Sequence, residues 1–155
     1  MKLNHLAIIM DGNRRWAISN NLPFYHGHQK GAEVLWDIIN YLDDYSLKYL
    51  TVFVFSTENW KRTKNEISFL MKLLNQFLDK AIKKIKNENV KIRFIGDLSV
   101  FSKKIQEKLD FIINETSNNT GATISLALNY GGRSDIIFAI NNILKSNINI
   151  ENFNE

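Results

Sequence analysis

The residues of this chain that could do chemistry stand in short polar clusters, each directly after an apolar run. The first cluster is Asp11-Gly12-Asn13-Arg14-Arg15-Trp16, after the run His5–Met10. A strand that ends in a small-residue turn and opens a helix aims backbone N–H groups outward and suits phosphate. A bare carboxylate at that tip repels phosphate, so Asp11 there points to a divalent cation bridging the two. An aspartate in this position also serves as a helix N-cap; the two arginines that follow favour metal and phosphate. Neighbouring helical residues point about 100° apart, so one of Arg14 and Arg15 faces a ligand directly.

A second cluster, Ser56-Thr57-Glu58-Asn59-Trp60-Lys61-Arg62, follows the apolar run Leu50–Phe55. Ser and Asn can hold a substrate or relay a proton, and Arg62 can take an anionic group bidentately. Trp60 alone reads equally well as a half-buried loop residue. Gly96-Asp97 and Asn129-Tyr130-Gly131-Gly132-Arg133 close two further runs, Val90–Ile95 and Ala122–Leu128. The segment Phe24-Tyr25-His26-Gly27-His28 reads as a loop after the only proline, Pro23. Its histidines, two apart and without Cys or further His nearby, point away from a metal site. His28 reads either as a phosphate hydrogen-bond donor ahead of a helix or as an exposed surface residue.

These clusters need elements to bring them together. The four apolar runs read as strands, separated by amphipathic helices over about Gly31–Leu42, Lys64–Lys86 and Ser102–Thr116, with Ser134–Leu144 after the last. Alternation of this kind predicts an α/β fold, a parallel sheet flanked by helices on both faces. In such a sheet every post-strand turn lies on the carboxyl edge, where open α/β sheets bind ligands. In the helix over Lys64–Lys86, Ile67, Leu70, Met71, Leu74, Phe77, Leu78, Ala81, Ile82 and Ile85 form a core stripe. Phe69 and Leu73 widen it, so this helix must bury apolar surface twice, in a core or interface or as a wall of a hydrocarbon channel.

Composition sets outer bounds. A chain of 155 residues that is 45% hydrophobic and 23% charged suits one soluble domain, here 1–155. The absence of cysteine excludes disulfides and thiolate chemistry. A net charge of +4 favours anionic ligands and is too weak to indicate nucleic acid. No signal-peptide pattern opens the sequence, and no apolar run nears the ~20 residues of a membrane span. The ending Glu151–Glu155 resembles the opening of another helix.

Five segments together resemble the cis-prenyltransferases, the family of the bacterial undecaprenyl diphosphate synthases. They are His5–Ala17, Gly27–Ala32, Phe55–Arg62, Ile95–Asp97 and Asn129–Arg133, in the family's order and at compatible spacing. The resemblance implies a Rossmann-like fold and condensation of isopentenyl diphosphate with an allylic diphosphate such as farnesyl diphosphate, assisted by Mg²⁺. It implies Asp11 as the metal-associated aspartate, and Gly12, Asn13, Arg14, Arg15 and His28 as the allylic diphosphate cradle, with Trp16 beside it. Ser56, Thr57, Glu58, Trp60 and Arg62 match substrate-site positions, and Asn59 the proton acceptor. It further implies a hydrocarbon tunnel between helices and sheet, a homodimer, and a cytoplasmic protein with the membrane periphery as an alternative location.

The sequence also departs from the family pattern. Phe24 stands where a basic residue is usual, and Thr63 where a proline follows the arginine. The family pattern continues through an Arg-Thr-Gly-Gly segment, an Arg-x-Ser segment and a late glutamate, which hold isopentenyl diphosphate and contribute to the dimer. This sequence has none of them: the stretch 134–155 holds one lysine and no arginine. The expectation is therefore a C-terminally incomplete domain with the allylic half of the site. The alternative is a non-catalytic relative that binds allylic diphosphate or serves as a partner subunit; the intact Asp11 cluster counts against it. An unrelated Rossmann-like phosphate binder would not carry all five segments.

Overall fold

The computed structural model describes residues 3–42, 46–85 and 88–145. Four strands, β1 (His5–Ile9), β2 (Tyr49–Ser56), β3 (Lys91–Ile95) and β4 (Thr123–Tyr130), form one all-parallel sheet in the order β1-β2-β4-β3. The helices are α1 (Asn13–Ser19), α2 (Phe24–Asn40), α3 (Lys64–Lys84), α4 (Lys103–Thr116) and α5 (Gly132–Lys145). The sheet flanked by helices matches the expected class, and each predicted strand is found within about two residues. The possible helix over Glu151–Glu155, and the Lys86 end of the long helix, lie outside the described residues.

Alternation along the strands makes the core. Leu6 and Ile8 of β1, Leu50 and Val52 of β2, Ile92 and Phe94 of β3, and Ile124 and Leu126 of β4 point to the side where α2, α3 and α4 pack. From the helices, Leu35, Leu78, Leu109 and Ile112 meet them, each at most 3% exposed. Near the carboxyl edge the β2–β4 register shifts between Phe53 and Phe55 and again before Ser56. Strict alternation would send Val54 and Phe55 to opposite faces; the irregularity lets both face the same cavity.

One helix starts earlier than the sequence suggested. Residues 24–28 are the first turns of α2 rather than a loop, with Pro23 at its N-cap. Gly27 and Gly31 weaken the local helical signal, but packing demands them. A Cβ on Gly27 would lie 1.9 Å from the Asn13 carbonyl oxygen, and one on Gly31 2.7 Å from the Asn13 side-chain oxygen. The two glycines are the groove in which the start of α1 lies. Phe69, outside the α3 stripe, meets Phe24 edge-on (6.2 Å, 85°) and lies 5.8 Å from Tyr25, so the extra width of α3 is used against α2.

A buried hydroxyl ties the edge strand β3 to α4. Thr116, fully buried, donates to the Ile112 carbonyl (2.8 Å) and accepts from the Ile92 N–H (3.1 Å). Thr116→Val keeps the volume and leaves that strand N–H without a partner. We expect a loss of about 1–3 kcal/mol in urea unfolding; a loss below about 0.5 kcal/mol would contradict this account of the β3–α4 seam.

Candidate functional site

The four turns after the strands meet along one edge of the sheet. The Trp60 indole N–H donates to Asn129 Oδ1 (2.8 Å), and the Asn129 amide donates to the Asp97 carbonyl (2.9 Å). The turns after β2, β4 and β3 are thus linked in a chain. Arg14, in the first turn of α1 that follows the β1 turn, reaches across to Glu66 on α3. Asn129 holds a left-handed backbone (φ 48°), which asparagine tolerates better than most residues.

Asp11 is exposed and ionised at the mouth of this edge. One carboxylate oxygen accepts from the Gly12 N–H (2.5 Å), the other from Arg15 Nη2 (2.9 Å). The Gly12 N–H first, and then Arg15, hold the Asp11 carboxyl below its ordinary range. Gly12, not Asp11, occupies the N-cap position of α1, at φ 83° and without a side-chain cap. The capping explanation of Asp11 therefore fails. Because α1 has only seven residues, positive charge at this mouth comes mainly from arginine side chains.

Behind the mouth lies a residue that the motifs did not single out. Glu66 is 2% exposed and accepts three hydrogen bonds. Its Oε1 takes one from Arg62 Nη1 (2.9 Å) and one from His28 Nε2 (3.1 Å), and its Oε2 takes one from Arg14 Nη1 (3.3 Å). A carboxylate only accepts, so Nε2 of His28 carries the proton. Burial lowers the His28 pKa below its ordinary value, opposed by the Glu66 hydrogen bond, and the ring is neutral at pH 7. A signal for Glu66 did exist: Thr63-Lys64-Asn65-Glu66 ahead of an apolar run is a capping pattern, and Thr63 accepts from the Glu66 N–H (3.3 Å). That pattern locates the helix start and says nothing of a charge hub.

A cavity of about 360 Å³ opens from this mouth into the core. Asp11, Gly12, Asn13, Arg14, Arg15, His28, Asn59 and Arg62 line it beside Glu66, so both neighbouring arginines reach the hollow rather than the one expected from helix geometry. Its inner wall is aliphatic and aromatic, including Leu35, Val54, Leu74 and Leu126. A second cavity of about 250 Å³ continues the line, and Phe77, Leu78, Phe94 and Leu126 border both. Phe77 is stacked on Trp36 (4.6 Å, 29°) at this partition.

The other candidates stand elsewhere. Ser56 binds the Asn59 side chain through its N–H (3.0 Å) without lining the cavity. Trp60 packs on Phe55 (5.0 Å) and Phe101 (6.2 Å). Thr57 lines a separate groove with Asp97, Tyr130 and Gly131. Glu58 and Trp16 are exposed and border none of the three hollows. Phe24, in place of a basic residue, sets its ring edge-on to His28 (6.2 Å).

The arrangement suits an amphiphile with an anionic head and an apolar tail. Among the described residues no cluster of three or more His, Cys, Asp or Glu could hold a metal alone. The Asp11 carboxylate, free to solvent and aimed at the cavity mouth, fits an ion that takes a single protein carboxylate beside waters and substrate phosphate, the usual habit of Mg²⁺. No helix among the described residues is long and apolar enough to cross a membrane.

Comparison with known proteins agrees with this geometry. Residues 9–155 match the prenyltransferase family model, described as undecaprenyl diphosphate synthase. An isoprenyl transferase of Clostridium tetani is 46% identical over 155 residues, covering 97% of this chain and 61% of the relative. One from Thermotoga maritima is 43% identical over 141 residues, covering 91% and 60%. The chain thus spans about three fifths of the length of the curated relatives it matches. Among solved structures, lavandulyl diphosphate synthase from Lavandula x intermedia, in complex with dimethylallyl diphosphate, superposes with a TM-score of 0.89 at 29% identity, over 99% of this chain and 67% of that one. A probable undecaprenyl diphosphate synthase from Campylobacter jejuni gives 0.78 at 33% identity, over 100% and 66%.

Proposed function

The chain belongs to the undecaprenyl diphosphate synthase family of cis-isoprenyl transferases, and from that premise we propose that its cavity binds an allylic diphosphate, with farnesyl diphosphate as the natural candidate. The observation that carries this is the continuity of one hollow, cationic at its mouth and aliphatic within. The diphosphate lies against Arg14, Arg15 and Arg62 and the backbone of Gly12 and Asn13. Guanidinium groups at a site closed on its inner side absorb the charge that develops on a departing diphosphate. Asp11 would hold Mg²⁺ jointly with diphosphate oxygens, and that ion supplies further neutralisation of the leaving group. Asn59, at the cavity wall, is proposed to orient the second substrate and receive its proton. Trp60, through Asn129, keeps that wall in register, and Ser56 fixes the Asn59 amide.

Isopentenyl diphosphate as the second substrate, with Ser56, Thr57 and Glu58 on its side of the site, extends the proposal to the complete condensation. So does a homodimer, for which α5 offers exposed apolar surface at Ile136, Ile137 and Phe138. A product of this kind is a membrane lipid, which favours a working place at the membrane periphery. Location, dimer and complete reaction all rest on the family, since the chain matches only about 61% of its relatives' length.

Titration calorimetry with inorganic pyrophosphate, geranyl diphosphate and farnesyl diphosphate in Mg²⁺ buffer tests the head-and-tail arrangement. Each buried CH₂ contributes about 0.8 kcal/mol at most, and ordering costs absorb part of it. We expect farnesyl diphosphate to bind about tenfold or more tighter than geranyl diphosphate, and pyrophosphate to be weakest. Equal affinity for all three would overturn the arrangement. Phe77→Ala removes the partition between the two cavities. It should improve binding of geranylgeranyl diphosphate relative to farnesyl diphosphate by about threefold to tenfold, or about 1 kcal/mol. An unchanged ratio would show that the second cavity does not receive the tail.

A further inference from the structure

We propose that Glu66 is a positioning residue that sets the cationic site without neutralising it. The proposal rests on the cavity being a diphosphate cradle. Glu66 lies beside that cradle, where a negative charge is unfavourable for an anionic ligand, yet it is almost fully buried. Its two oxygens are engaged by Arg62, His28 and Arg14. Three donors that would otherwise spread apart are held by one carboxylate.

The charges make the arrangement workable. Arg14 and Arg62 bring two positive charges, Glu66 removes one, and neutral His28 adds none. Arg15 and Asp11 pair separately at the mouth. One net positive charge remains at the hub. Arg62 binds Glu66 through Nη1 (2.9 Å), which leaves its other N–H groups free for a ligand in a fixed orientation. The Glu66 backbone is itself fixed, because its N–H donates to Thr63 at the start of α3. A rigid helix therefore carries the anchor, and the loop arginine takes its direction from it.

Charge and positioning predict opposite signs for one substitution. Glu66→Gln keeps the shape and removes the negative charge. Acting through the field alone, it would tighten anion binding several-fold. If Glu66 positions, the amide NH₂ of the variant stands where Oε2 met Arg14, donor to donor, and binding weakens. We expect at least a fivefold weaker Kd for farnesyl diphosphate, with the amide spectrum of the fold retained. A second readout is the ¹⁵Nη spectrum of Arg62, which should show slowed guanidinium rotation in the ligand-free wild type and averaged signals in Glu66→Ala, which removes the oxygen that Arg62 binds. Equal or tighter binding by Glu66→Gln, or free rotation of Arg62 in the wild type, overturns the proposal. If the variant does not fold, the wild-type Arg62 spectrum decides alone. Failure of the wild type to bind farnesyl diphosphate would instead overturn the cradle itself, and this proposal with it.

Discussion

Asp11→Asn should abolish the Mg²⁺-dependent part of farnesyl diphosphate binding and reverse its sign without the ion. Asp11 is exposed, ionised and aimed at the cavity mouth, and its side chain pairs with Arg15. In EDTA its negative charge opposes the diphosphate, so the asparagine variant should bind slightly tighter than wild type. In Mg²⁺ buffer the carboxylate becomes an ion ligand, and its loss removes a charge-assisted contact of about 1.5–3 kcal/mol. The variant should then bind about tenfold to a hundredfold weaker. Fluorescence titration under both conditions gives the two signs. The same Mg²⁺ enhancement in both proteins would show that Asp11 does not meet the ion.

Gly27→Ala should cost both stability and the site. In an open helix, alanine for glycine would gain about 1 kcal/mol. Here the new Cβ would stand 1.9 Å from the Asn13 carbonyl oxygen, 2.7 Å from its carbon and 3.2 Å from Ala17 Cβ. The nearest of these are backbone atoms that cannot swing aside, so α1 must move as a body, and overpacking of that kind costs about 1–3 kcal/mol or more. Because α1 carries Asn13, Arg14 and Arg15, its displacement also disperses the diphosphate contacts. We expect lower stability in urea together with a loss of farnesyl diphosphate affinity of about tenfold or more. Gly31→Ala, whose Cβ meets only the end of the Asn13 side chain, should be milder in both respects. A Gly27→Ala protein with wild-type stability would remove the reason given for a glycine at this crossing.

Much of this was legible in the sequence because it depends on short-range pattern. Apolar runs closed by polar turns located the strands, and parallel topology alone required the turns to converge. Asp11, Arg14, His28, Asn59 and Arg62 indeed meet at one cavity. What could not be read there depends on tertiary contact. The start of α2 was hidden because Gly27 and Gly31 look like helix breakers until α1 is laid across them. Glu66 was hidden because the Arg62 pair at i,i+4 looks like an ordinary helix-start ion pair, and its meaning comes from Arg14 and His28, 52 and 38 residues away in sequence. Trp16 and Glu58 carry motif identity, yet they stand away from the cavity because adjacent residues of a short helix or turn cannot all face one point.

One ligand should span the arginine mouth and the aliphatic slot. NMR on protein labelled at leucine methyls and arginine side chains, titrated with farnesyl diphosphate and, separately, with inorganic pyrophosphate, reads both ends at once. Both ligands should shift the Arg14 and Arg62 signals, and only farnesyl diphosphate should shift the methyls of Leu70, Leu74 and Leu126. If farnesyl diphosphate leaves those methyls unmoved while the arginines respond, the slot does not hold the tail and the account is wrong.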